Sequence, residues 1–512
     1  MNERVLVLDF GSQYVQLIAR RIREIGVYCE IVRHDISPDE LSRLEPSALV
    51  LSGGPSSVLD PDHPVMNRCI LDLGIPILGI CYGMQLLANM LAGKVEKGMG
   101  GEYGPARVDV TRSENIFDGL NTSLNVWMSH GDHVIEVPKG FHVLASTSAC
   151  RVAAMGNRSQ RIYGLQFHPE VVHTPKGAEI LKNFLFRIAG CRGGWTMSRF
   201  VEDSVRDIRN RVGSLRVICG LSGGIDSAVV AALINRAIGD QMKAIFVDNG
   251  LLRANEREEI RSIFCCDYPL NIHIVDARKE FLSALKGVVD PEQKRKIIGK
   301  TFIDIFRKEA AGIDGAKFLA QGTLYPDVIE SCSARGGPSV TIKSHHNVGG
   351  LPEDLGFELI EPLRYLFKDE VRLLGRELGL PERLLTRQPF PGPGLAVRIL
   401  GEVTEENLKI LRHADLIVQE EVALYQGFKD IWQSFAVLLP VKSVGVMGDE
   451  RTYANVVALR VVNSLDGMTA DWVSLPYDIL RRMSSRIINE VKGVNRVVYD
   501  ISSKPPGTIE WE

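Results

Sequence analysis

Two stretches of the chain alternate short apolar strands with amphipathic helices, and in both a glycine-rich turn follows a strand. The first stretch begins with VLVLDFG at residues 5–11 and continues through ALVLSGGP and IPILGICYG. The second begins at residues 215–227, where LRVICGL leads into the turn SGGIDS and a helix rich in alanine and valine. Strands that alternate with helices pack as a parallel sheet covered by helices. Each stretch is therefore predicted to form an α/β sheet with functional residues at its strand ends.

The spacing of glycine and proline divides the chain further. Its 512 residues are too many for one hydrophobic core. We predict an α/β domain at residues 1–192, which adds several short strands after about residue 101 and ends in a glycine-rich linker, and a doubly wound domain at 193–387. The segment QPFPGPGLAVR at 388–398 then marks the start of a smaller α+β domain at 388–512.

The charge balance and the cysteines limit the classes of partner and compartment. Sixty Lys and Arg residues against 63 Asp and Glu residues give a net charge of -3, without the basic excess typical of nucleic-acid or anionic-membrane binding. No apolar run approaches the roughly 18 residues of a membrane span, and the N-terminus lacks the pattern of a secretory signal. Nine scattered cysteines are typical of reduced thiols. We therefore expect a cytoplasmic protein that binds neither nucleic acid nor membrane.

A cysteine, a histidine and a glutamate form the first candidate site. Cys81 stands in GICYG, between an apolar strand and a helix, where a sharp turn exposes a side chain and a helix N-terminus favours a thiolate. In FHPE, Pro169 biases His168 toward an extended conformation, which brings the side chains of His168 and Glu170 to one side. Hydrolysis of an amide through a thioester needs a thiolate nucleophile, a histidine acid–base and a carboxylate that orients the imidazole.

The turn SGGP at residues 52–55 offers the oxyanion hole that this chemistry also needs. Gly53 and Gly54 allow backbone N–H groups to approach a ligand closely, and one such donor typically lowers a barrier by about 3 kcal/mol. Taken alone, a cysteine is more often a buried core residue than a nucleophile. The three motifs together favour an active site.

These motifs resemble the class I glutamine amidotransferases, whose pattern is G-x-C-x-G-x-Q with an upstream SGGP and a downstream FHPE. The resemblance covers residues 1–190. It implies a flavodoxin-like fold and a triad of Cys81, His168 and Glu170 that releases ammonia from glutamine. It also implies that glutamine and the oxyanion are held by Gly53, Gly54, Tyr82, Gln85 and the backbone of Ser129–His130.

The second candidate site is a glycine turn between a strand and a helix. Its N–H groups and the helix dipole would bind an anion, and Asp226 would hold Mg²⁺. The lysine of a Walker A loop is missing, and a glycine turn alone is about as often a plain connection. The whole string resembles the PP-loop ATP pyrophosphatases, which cleave ATP between its α and β phosphates. The resemblance implies ATP contacts from Ser222, Gly223, Gly224, Ile225, Asp226, Ser227 and Val247.

Two later segments are candidates for a lid over the phosphates. QGTLYPDVIES carries Asp327 and Glu330, whose simpler interpretation is a capped helix terminus, and TIKSHHNVGGLPE carries Lys343 between glycines. The adjacent His345 and His346 point apart on a strand, so metal binding is not expected there.

The order of the three domains, with GPGLAVR and KPPGTIEWE in the third, is similar to that of a family of glutamine-dependent ligases that aminate xanthosine 5′-monophosphate (XMP). The resemblance implies that ATP adenylylates XMP, that ammonia then replaces AMP, and that two copies associate through the third domain. By composition alone, the tail would be a solvated end. The resemblance assigns substrate-nucleotide binding to Arg295, Gln433, Arg496, Lys504, Ile509 and Glu510.

Other functions remain as alternatives. An asparagine synthetase would carry its cysteine at position 2, where this chain has Asn2, and a glutamine-dependent NAD synthetase has a nitrilase-like domain without FHPE. A PP-loop enzyme that modifies tRNA would use Cys219 or Cys332 for sulfur transfer, but no basic RNA-binding module is evident. A regulator that binds nucleotides without catalysis would not need the triad.

Overall fold

The computed structural model describes residues 3–333, 356–447, 450–464, 467 and 469–512. Its residue contacts divide the chain into two compact units. The first unit contains the residues up to Phe200 and the segment that begins at Tyr325, and the second contains Val201–Leu324 and the described residues from 356 onward. The domain boundaries after 192 and 387 stay predictions.

Within the described residues, the first unit is built on a nine-stranded sheet in the order β2-β1-β3-β4-β9-β8-β7-β5-β6. The strands from β2 to β9 in this order are parallel neighbours, and the remaining pairs are antiparallel. The strands are β1 (Val5–Asp9), β2 (Cys29–Arg33), β3 (Ala48–Leu51), β4 (Ile77–Ile80), β5 (Lys94–Val110), β6 (Ser123–Glu136), β7 (His142–Ser146), β8 (Ala154–Asn157) and β9 (Ile162–Leu165).

The parallel strands inside this sheet, β1, β3, β4 and β9, are buried on both faces, as their apolar sequences require. All residues of β3 and β4 are buried. The helices of this unit are α1 (Val15–Glu24), α2 (Pro38–Leu44), α3 (Tyr82–Met90) and α4 (Gly177–Lys182), with a 3-10 turn at Arg68–Leu73 and a π turn at Asn183–Ile188. Ser37 caps helix α2, because its hydroxyl accepts the N–H of Glu40 at 3.2 Å.

A helix from far along the chain, α10 (Tyr325–Ser333), also belongs to the first unit. The hydroxyl of Tyr325 is hydrogen-bonded to the N–H of Ile31 on β2. The guanidinium of Arg23 lies 5.0 Å from the Tyr325 ring centre and 5.1 Å from that of Tyr28. Cation–π contacts with buried rings of this kind join α10 to the first sheet.

The second unit contains a parallel sheet in the order β12-β11-β10-β13-β14. The order reverses direction at β10, so the carboxyl end of β10 is a topological switch point, where α/β proteins bind ligands. Its strands are β10 (Arg216–Leu221), β11 (Met242–Asp248), β12 (Ile272–Asp276), β13 (Ala316–Ala320) and β14 (Glu358–Ile360).

Helices on this sheet follow the strand–helix alternation. Helix α9 begins at Pro291 and is capped by Asp290, whose carboxylate accepts the N–H of Gln293 at 2.8 Å. The helices are α5 (Met197–Val212), α6 (Ile225–Ile238), α7 (Glu256–Ser262), α8 (Arg278–Ala284), α9 (Pro291–Ala311), α11 (Lys368–Glu377) and α12 (Glu382–Leu385), with 3-10 turns at Gly239–Gln241 and Gly394–Arg398 and a π turn at Ile263–Asp267.

The last part of the second unit is a four-stranded sheet packed on two helices. The long strands β15 and β16 form an antiparallel pair, and β18 joins β16 in parallel. Its elements are α13 (Glu405–Ala423), β15 (Gln433–Met447), β16 (Glu450–Asn463), β17 (Asp471–Trp472), α14 (Tyr477–Glu490) and β18 (Val494–Tyr499), with a 3-10 turn at Phe428–Asp430. Apolar residues of these elements share one core with those of the parallel sheet.

The predicted α/β fold class, with a smaller part that has an antiparallel sheet, is confirmed. Across the residues described here, no helix combines the length and the apolar character that a membrane crossing would require.

Candidate active sites

Cys81 occupies the sharp turn between β4 and α3. Its backbone adopts φ 49° and ψ -106°, a strained conformation for a residue other than glycine. The turn is tight because α3 lies directly against the neighbouring strands: a Cβ at Gly83 would lie 2.5 Å from the carbonyl oxygen of Leu51. The N–H of Cys81 donates to Leu165 O at 2.7 Å. The thiol is therefore fixed at the N-terminus of α3.

His168 lies beside Cys81, since both side chains border Gly53, and is oriented by Glu170. Its Nδ1 lies 2.7 Å from the Oε1 atom of Glu170, and both side chains are buried. Burial disfavours a charged imidazole, but the Glu170 carboxylate and the hydrogen bonds with Cys81 and Glu170 raise the pKa of His168 above its usual value. The ring of Tyr14 contacts the imidazole edge-on, with 5.3 Å between the two ring centres. The three predicted triad residues are thus together, with a histidine that can hold a proton.

The SGGP turn borders this pair. A Cβ at Gly53 would lie 3.3 Å from Cε1 of His168 and 3.7 Å from Cβ of Cys81. A Cβ at Gly54 would lie 2.6 Å from Phe10 O, so this position also has room only for glycine. The turn therefore lies where a donor to an oxyanion would be needed.

Gln85 contacts Asp132 and Gln166, and Gln166 connects it to the Cys81 thiol. Its Nε2 donates to Asp132 O at 2.7 Å and to Oε1 of Gln166 at 3.4 Å, and Nε2 of Gln166 lies 3.7 Å from Sγ of Cys81. The Cys81 thiol itself lies 3.5 Å from Ser129 O. Gln166 was not predicted, although it stands two residues before His168 on the same side of an extended chain.

Tyr82 is placed differently from the other predicted glutamine-binding residues. Its side chain is buried in the apolar core of the first unit, against Phe10, and its hydroxyl donates to Pro64 O at 2.5 Å. Only the backbone of Tyr82 is left to contribute to the turn after Cys81.

The SGGIDS turn joins β10 to α6 and is closed by its own serines. The hydroxyl of Ser227 accepts the N–H of Ser222 at 3.2 Å and donates to Gly224 O at 3.0 Å. Gly223 has φ 79°, which favours glycine, and its carbonyl accepts from Arg387 at 2.9 Å. The turn thus ends at a helix N-terminus beside the switch point of the sheet, where anions bind.

The two carboxylate oxygens of Asp226, in this turn, differ in their hydrogen bonds. Nζ of Lys368 donates to Oδ2 at 2.7 Å. Oδ1 is buried and has no hydrogen-bond partner within the described part of the chain. A buried carboxylate oxygen without a donor is suited to a cation such as Mg²⁺. Lys368 was not predicted, because no local motif links it to a residue 142 positions earlier.

The remaining predicted ATP and lid residues are less concentrated. Val247 is buried in the apolar core on β11, so its side chain packs within the protein. Asp327 lies in the first turn of α10, which groups with the first unit. The side chain of Glu330 and all of Lys343 lie outside the described residues.

The C-terminal tail brings several predicted substrate residues together. Nε2 of Gln433 donates to Oε1 of Glu510 at 2.8 Å, and the fully buried Arg398 donates to both oxygens of that carboxylate. Ile509 packs on a small apolar cluster of β15 and β16, and Arg295 donates to the backbone oxygen of Glu512. Arg398 was not predicted to take part.

Two predicted substrate residues make separate contacts. Lys504 donates to Gly467 O at 2.7 Å, and Nε of Arg496 on β18 donates to the hydroxyl of Ser443 at 2.7 Å.

The alternative based on sulfur transfer loses one of its candidate thiols. Burial raises the pKa of Cys219 to about 12, so this thiol is protonated at neutral pH and is a poor nucleophile. The side chain of Cys332 lies outside the described residues.

Comparison with known proteins gives matches along the chain. The profile "Glutamine amidotransferase class-I" matches residues 6–188, "NAD synthase" matches 197–295, and "GMP synthase C terminal domain" matches 420–511.

Three relatives, each a glutamine-hydrolyzing GMP synthase, match the full chain. That of Maridesulfovibrio salexigens is 58% identical over 513 residues, covering 100% of this chain and 99% of the relative. That of Caldanaerobacter subterraneus subsp. tengcongensis is 58% identical over 511 residues, with coverage of 100% and 99%. That of Carboxydothermus hydrogenoformans is 57% identical over 512 residues and covers 100% of both chains.

Replacing Glu170 by Gln removes the negative charge that stabilises the imidazolium and keeps the shape of the side chain. The pKa of His168 should therefore fall, so that the ring loses its proton at a lower pH. NMR of protein labelled with ¹⁵N-histidine, recorded across a pH series, measures this change. Asp118→Asn, which alters a partly exposed carboxylate paired with Arg187, should leave His168 unchanged. An identical His168 titration in Glu170→Gln would contradict the role given to Glu170.

Proposed function

The chain belongs to the family of glutamine-hydrolysing GMP synthases, and on this premise we propose that its first unit releases ammonia from glutamine while its second unit uses ATP to aminate XMP to GMP. The observation that carries this assignment is the buried contact of Cys81 with His168, which is oriented by Glu170. The turn at residues 222–227, which we propose to bind phosphate, lies in the other compact unit, and this supports separate sites for the two reactions.

In the first reaction, the Cys81 thiolate attacks the side-chain amide carbon of glutamine. The tetrahedral oxyanion is stabilised by N–H groups of the Gly53–Gly54 turn, and His168 gives its proton to the departing ammonia. Water then hydrolyses the thioester with His168 as general base, which releases glutamate and restores the thiol. Glu170 holds the imidazole in one orientation throughout.

In the second reaction, the substrate must first be activated because a ring carbonyl oxygen is a poor leaving group. The O2 atom of XMP attacks the α-phosphorus of ATP, and pyrophosphate leaves. The N–H groups and hydroxyls of Ser222–Ser227 bind the departing phosphates, supported by the dipole of α6. Ammonia then adds to C2 of the purine, and AMP leaves with the former carbonyl oxygen.

Asp226 is the residue that we propose to hold Mg²⁺ with ATP. Its Oδ1 atom is buried and, in the part of the chain described, has no donor, which fits a hard cation that prefers oxygen ligands. Held there, Mg²⁺ would neutralise negative charge on the phosphates of ATP. Lys368 fixes the carboxylate through Oδ2 and would add positive charge near the same phosphates.

We assign XMP to the region around the C-terminal tail. Glu510 and Gln433 contact each other directly, and Arg398 holds the Glu510 carboxylate in place through two hydrogen bonds. The carboxylate can accept from purine N–H groups, and Arg295, Arg496 and Lys504 supply positive charge suited to a 5′-phosphate. Asp327, Glu330 and Lys343 remain proposed lid residues.

The hairpin of β15 and β16 is the surface that we propose for a homodimer. Val444 pairs with Tyr453 across the hairpin, and Val446 lies two residues further along the same face. These apolar side chains are 45%, 68% and 76% exposed, respectively, which is typical of an interaction surface rather than of a solvated edge. A second copy that packs on this face would bury them.

The cytosol is the proposed compartment. Every cysteine with a described side chain is a free thiol, which is typical of proteins in a reducing environment.

Replacing Cys81 by Ala should abolish the glutamine-dependent reaction and leave the reaction with ammonium salts close to that of the parent chain. Loss of a nucleophile commonly costs at least about 1,000-fold in kcat. Formation of GMP with each nitrogen source measures the two activities. Cys191→Ala, which removes another buried thiol of the first unit, should retain both. Loss of both activities in folded Cys81→Ala would contradict separate sites.

Replacing Asp226 by Asn should slow the reaction with glutamine and with ammonium salts alike, because both need ATP. The expected loss in kcat/KM is at least about 100-fold, since even the outer-shell partners of a bound metal contribute about 10–100-fold. Release of pyrophosphate measures the rate. Asp240→Asn, on an exposed turn after α6, is the matched control. Normal turnover of Asp226→Asn with ammonium salts would remove Asp226 from this role.

Replacing Val446 by Asp should weaken dimerisation at least about tenfold, because a buried unpaired charge costs more than about 1.4 kcal/mol. Sedimentation velocity across a concentration series measures the monomer–dimer equilibrium. Leu424→Asp, at an exposed apolar position outside the hairpin, should behave like the parent chain. Unchanged association of Val446→Asp, or a monomeric parent chain, would exclude this surface.

A further inference from the structure

Three side chains that the proposed reactions do not use meet in the antiparallel part of the first sheet. Glu102 on β5 pairs in register with His130 on β6, and Cys150 lies in the turn between β7 and β8. One ligand atom from each residue, a carboxylate oxygen, an imidazole nitrogen and the sulfur, lies within 4.8 Å of the other two. A carboxylate, an imidazole and a thiol are thus held close together by backbone elements that are distant in sequence.

The hydrogen bonds of His130 determine what its second nitrogen offers. Nδ1 lies 3.0 Å from Asp132 O, and because a carbonyl oxygen only accepts, Nδ1 must be the protonated nitrogen. A neutral ring with its proton on Nδ1 presents a lone pair at Nε2. Nε2 is buried, lies 3.4 Å from Oε2 of Glu102, and has no hydrogen-bond partner among the residues that the structure describes. Two electron-rich atoms at this separation repel each other unless a proton or a metal ion lies between them.

We propose that Glu102, His130 and Cys150 form a zinc site in the first unit. The mixture of nitrogen, sulfur and oxygen ligands is typical of zinc, whereas magnesium and calcium prefer oxygen alone. Three protein ligands leave the fourth tetrahedral position to water. Zinc replaces the thiol proton of Cys150, which is released to solvent on binding.

The surroundings of the cluster have the features of a metal site. His130 donates its other ring N–H to a carbonyl, which is the usual arrangement for a metal-bound imidazole. The hydroxyl of Thr147 lies 3.2 Å and 3.4 Å from the two oxygens of Glu102 and orients that carboxylate, and it accepts the N–H of Cys150 at 2.8 Å. The Glu102 side chain is 20% exposed, so the ion has a path from solvent.

The same hydrogen bonds connect this site to the glutamine pocket. Asp132 O accepts from His130 Nδ1 and also from Nε2 of Gln85, and Gln85 is linked through Gln166 to the Cys81 thiol. An ion that fixes His130 therefore also fixes the strand whose Ser129 carbonyl contacts Cys81. The zinc ion has a structural role: it holds the pocket and does not touch glutamine. This last consequence depends on the proposed glutaminase function, but binding of zinc does not.

The test is a zinc-binding measurement on the full chain with zinc sulfate alone. The protein is stripped of metal with a chelator, incubated with zinc sulfate and dialysed, and its zinc content is measured by elemental mass spectrometry. We expect about one zinc ion per chain. Cys150→Ala should lose this zinc, and Glu102→Gln, which changes one atom of the cluster, should bind it at least about tenfold more weakly. Cys81→Ala and Cys191→Ala should keep it, because they remove thiols outside the cluster.

Substitution by cobalt gives an independent readout. A cobalt–thiolate charge-transfer absorption should appear in the parent chain and in Cys81→Ala, and should be absent from Cys150→Ala. Glu102→Gln keeps the thiol and so serves if Cys150→Ala fails to fold. Zinc that is retained by both cluster variants, zinc that disappears in Cys81→Ala, or a parent chain that binds none would each overturn the site. None of these results bears on glutamine hydrolysis itself, which the Cys81→Ala activity assay tests separately.

Discussion

The close approach of α3 to the first parallel sheet is the constraint on which the glutamine site depends. A side chain at Gly83 would overlap Leu51 O, so glycine alone allows the helix to begin so near the strands. The turn between β4 and α3 must then reverse the chain sharply. This forces Cys81 to a positive φ and points its thiol away from the edge of the sheet. His168 comes from the end of a neighbouring strand, β9, so packing of backbone against backbone sets the distance between nucleophile and base.

The second unit solves a similar problem with different chemistry. Its glycine turn also follows a central parallel strand and begins a helix, but the side chains in it are short hydroxyls that close the turn on itself. The protein need not supply a nucleophile, because binding and charge neutralisation of phosphates do most of the work in phosphoryl transfer. Beside the same helix N-terminus lie the ammonium of Lys368 and a carboxylate oxygen of Asp226 that has no hydrogen-bond partner among the described residues.

Local sequence patterns predicted the helices, the strands and the site residues that lie within motifs. They missed contacts between residues that are distant in the sequence. The buried strands and the sharp turns at Cys81 and Gly223 follow from apolar runs and glycine spacing. The pairing of Lys368 with Asp226 does not, since nothing near either residue specifies the other. Tyr82 is the reverse case, in which a local motif suggested a role that the side chain does not fill. Its position next to Cys81 suggested a contact with glutamine, but helical geometry directs its side chain into the core.

The membership of α10 in the first unit has a consequence for how the chain can be divided. Arg23 lies between the rings of Tyr28 and Tyr325, and the second ring arrives only after more than a hundred residues that fold elsewhere. A polypeptide that ends at the glycine linker would contain the triad but not the ring of Tyr325. The side of Arg23 that this ring covers would then form a cationic, partly apolar surface. Division of the chain at the linker would therefore also remove one cation–π contact of Arg23, while its contacts with Tyr28 and Cys29 O would remain.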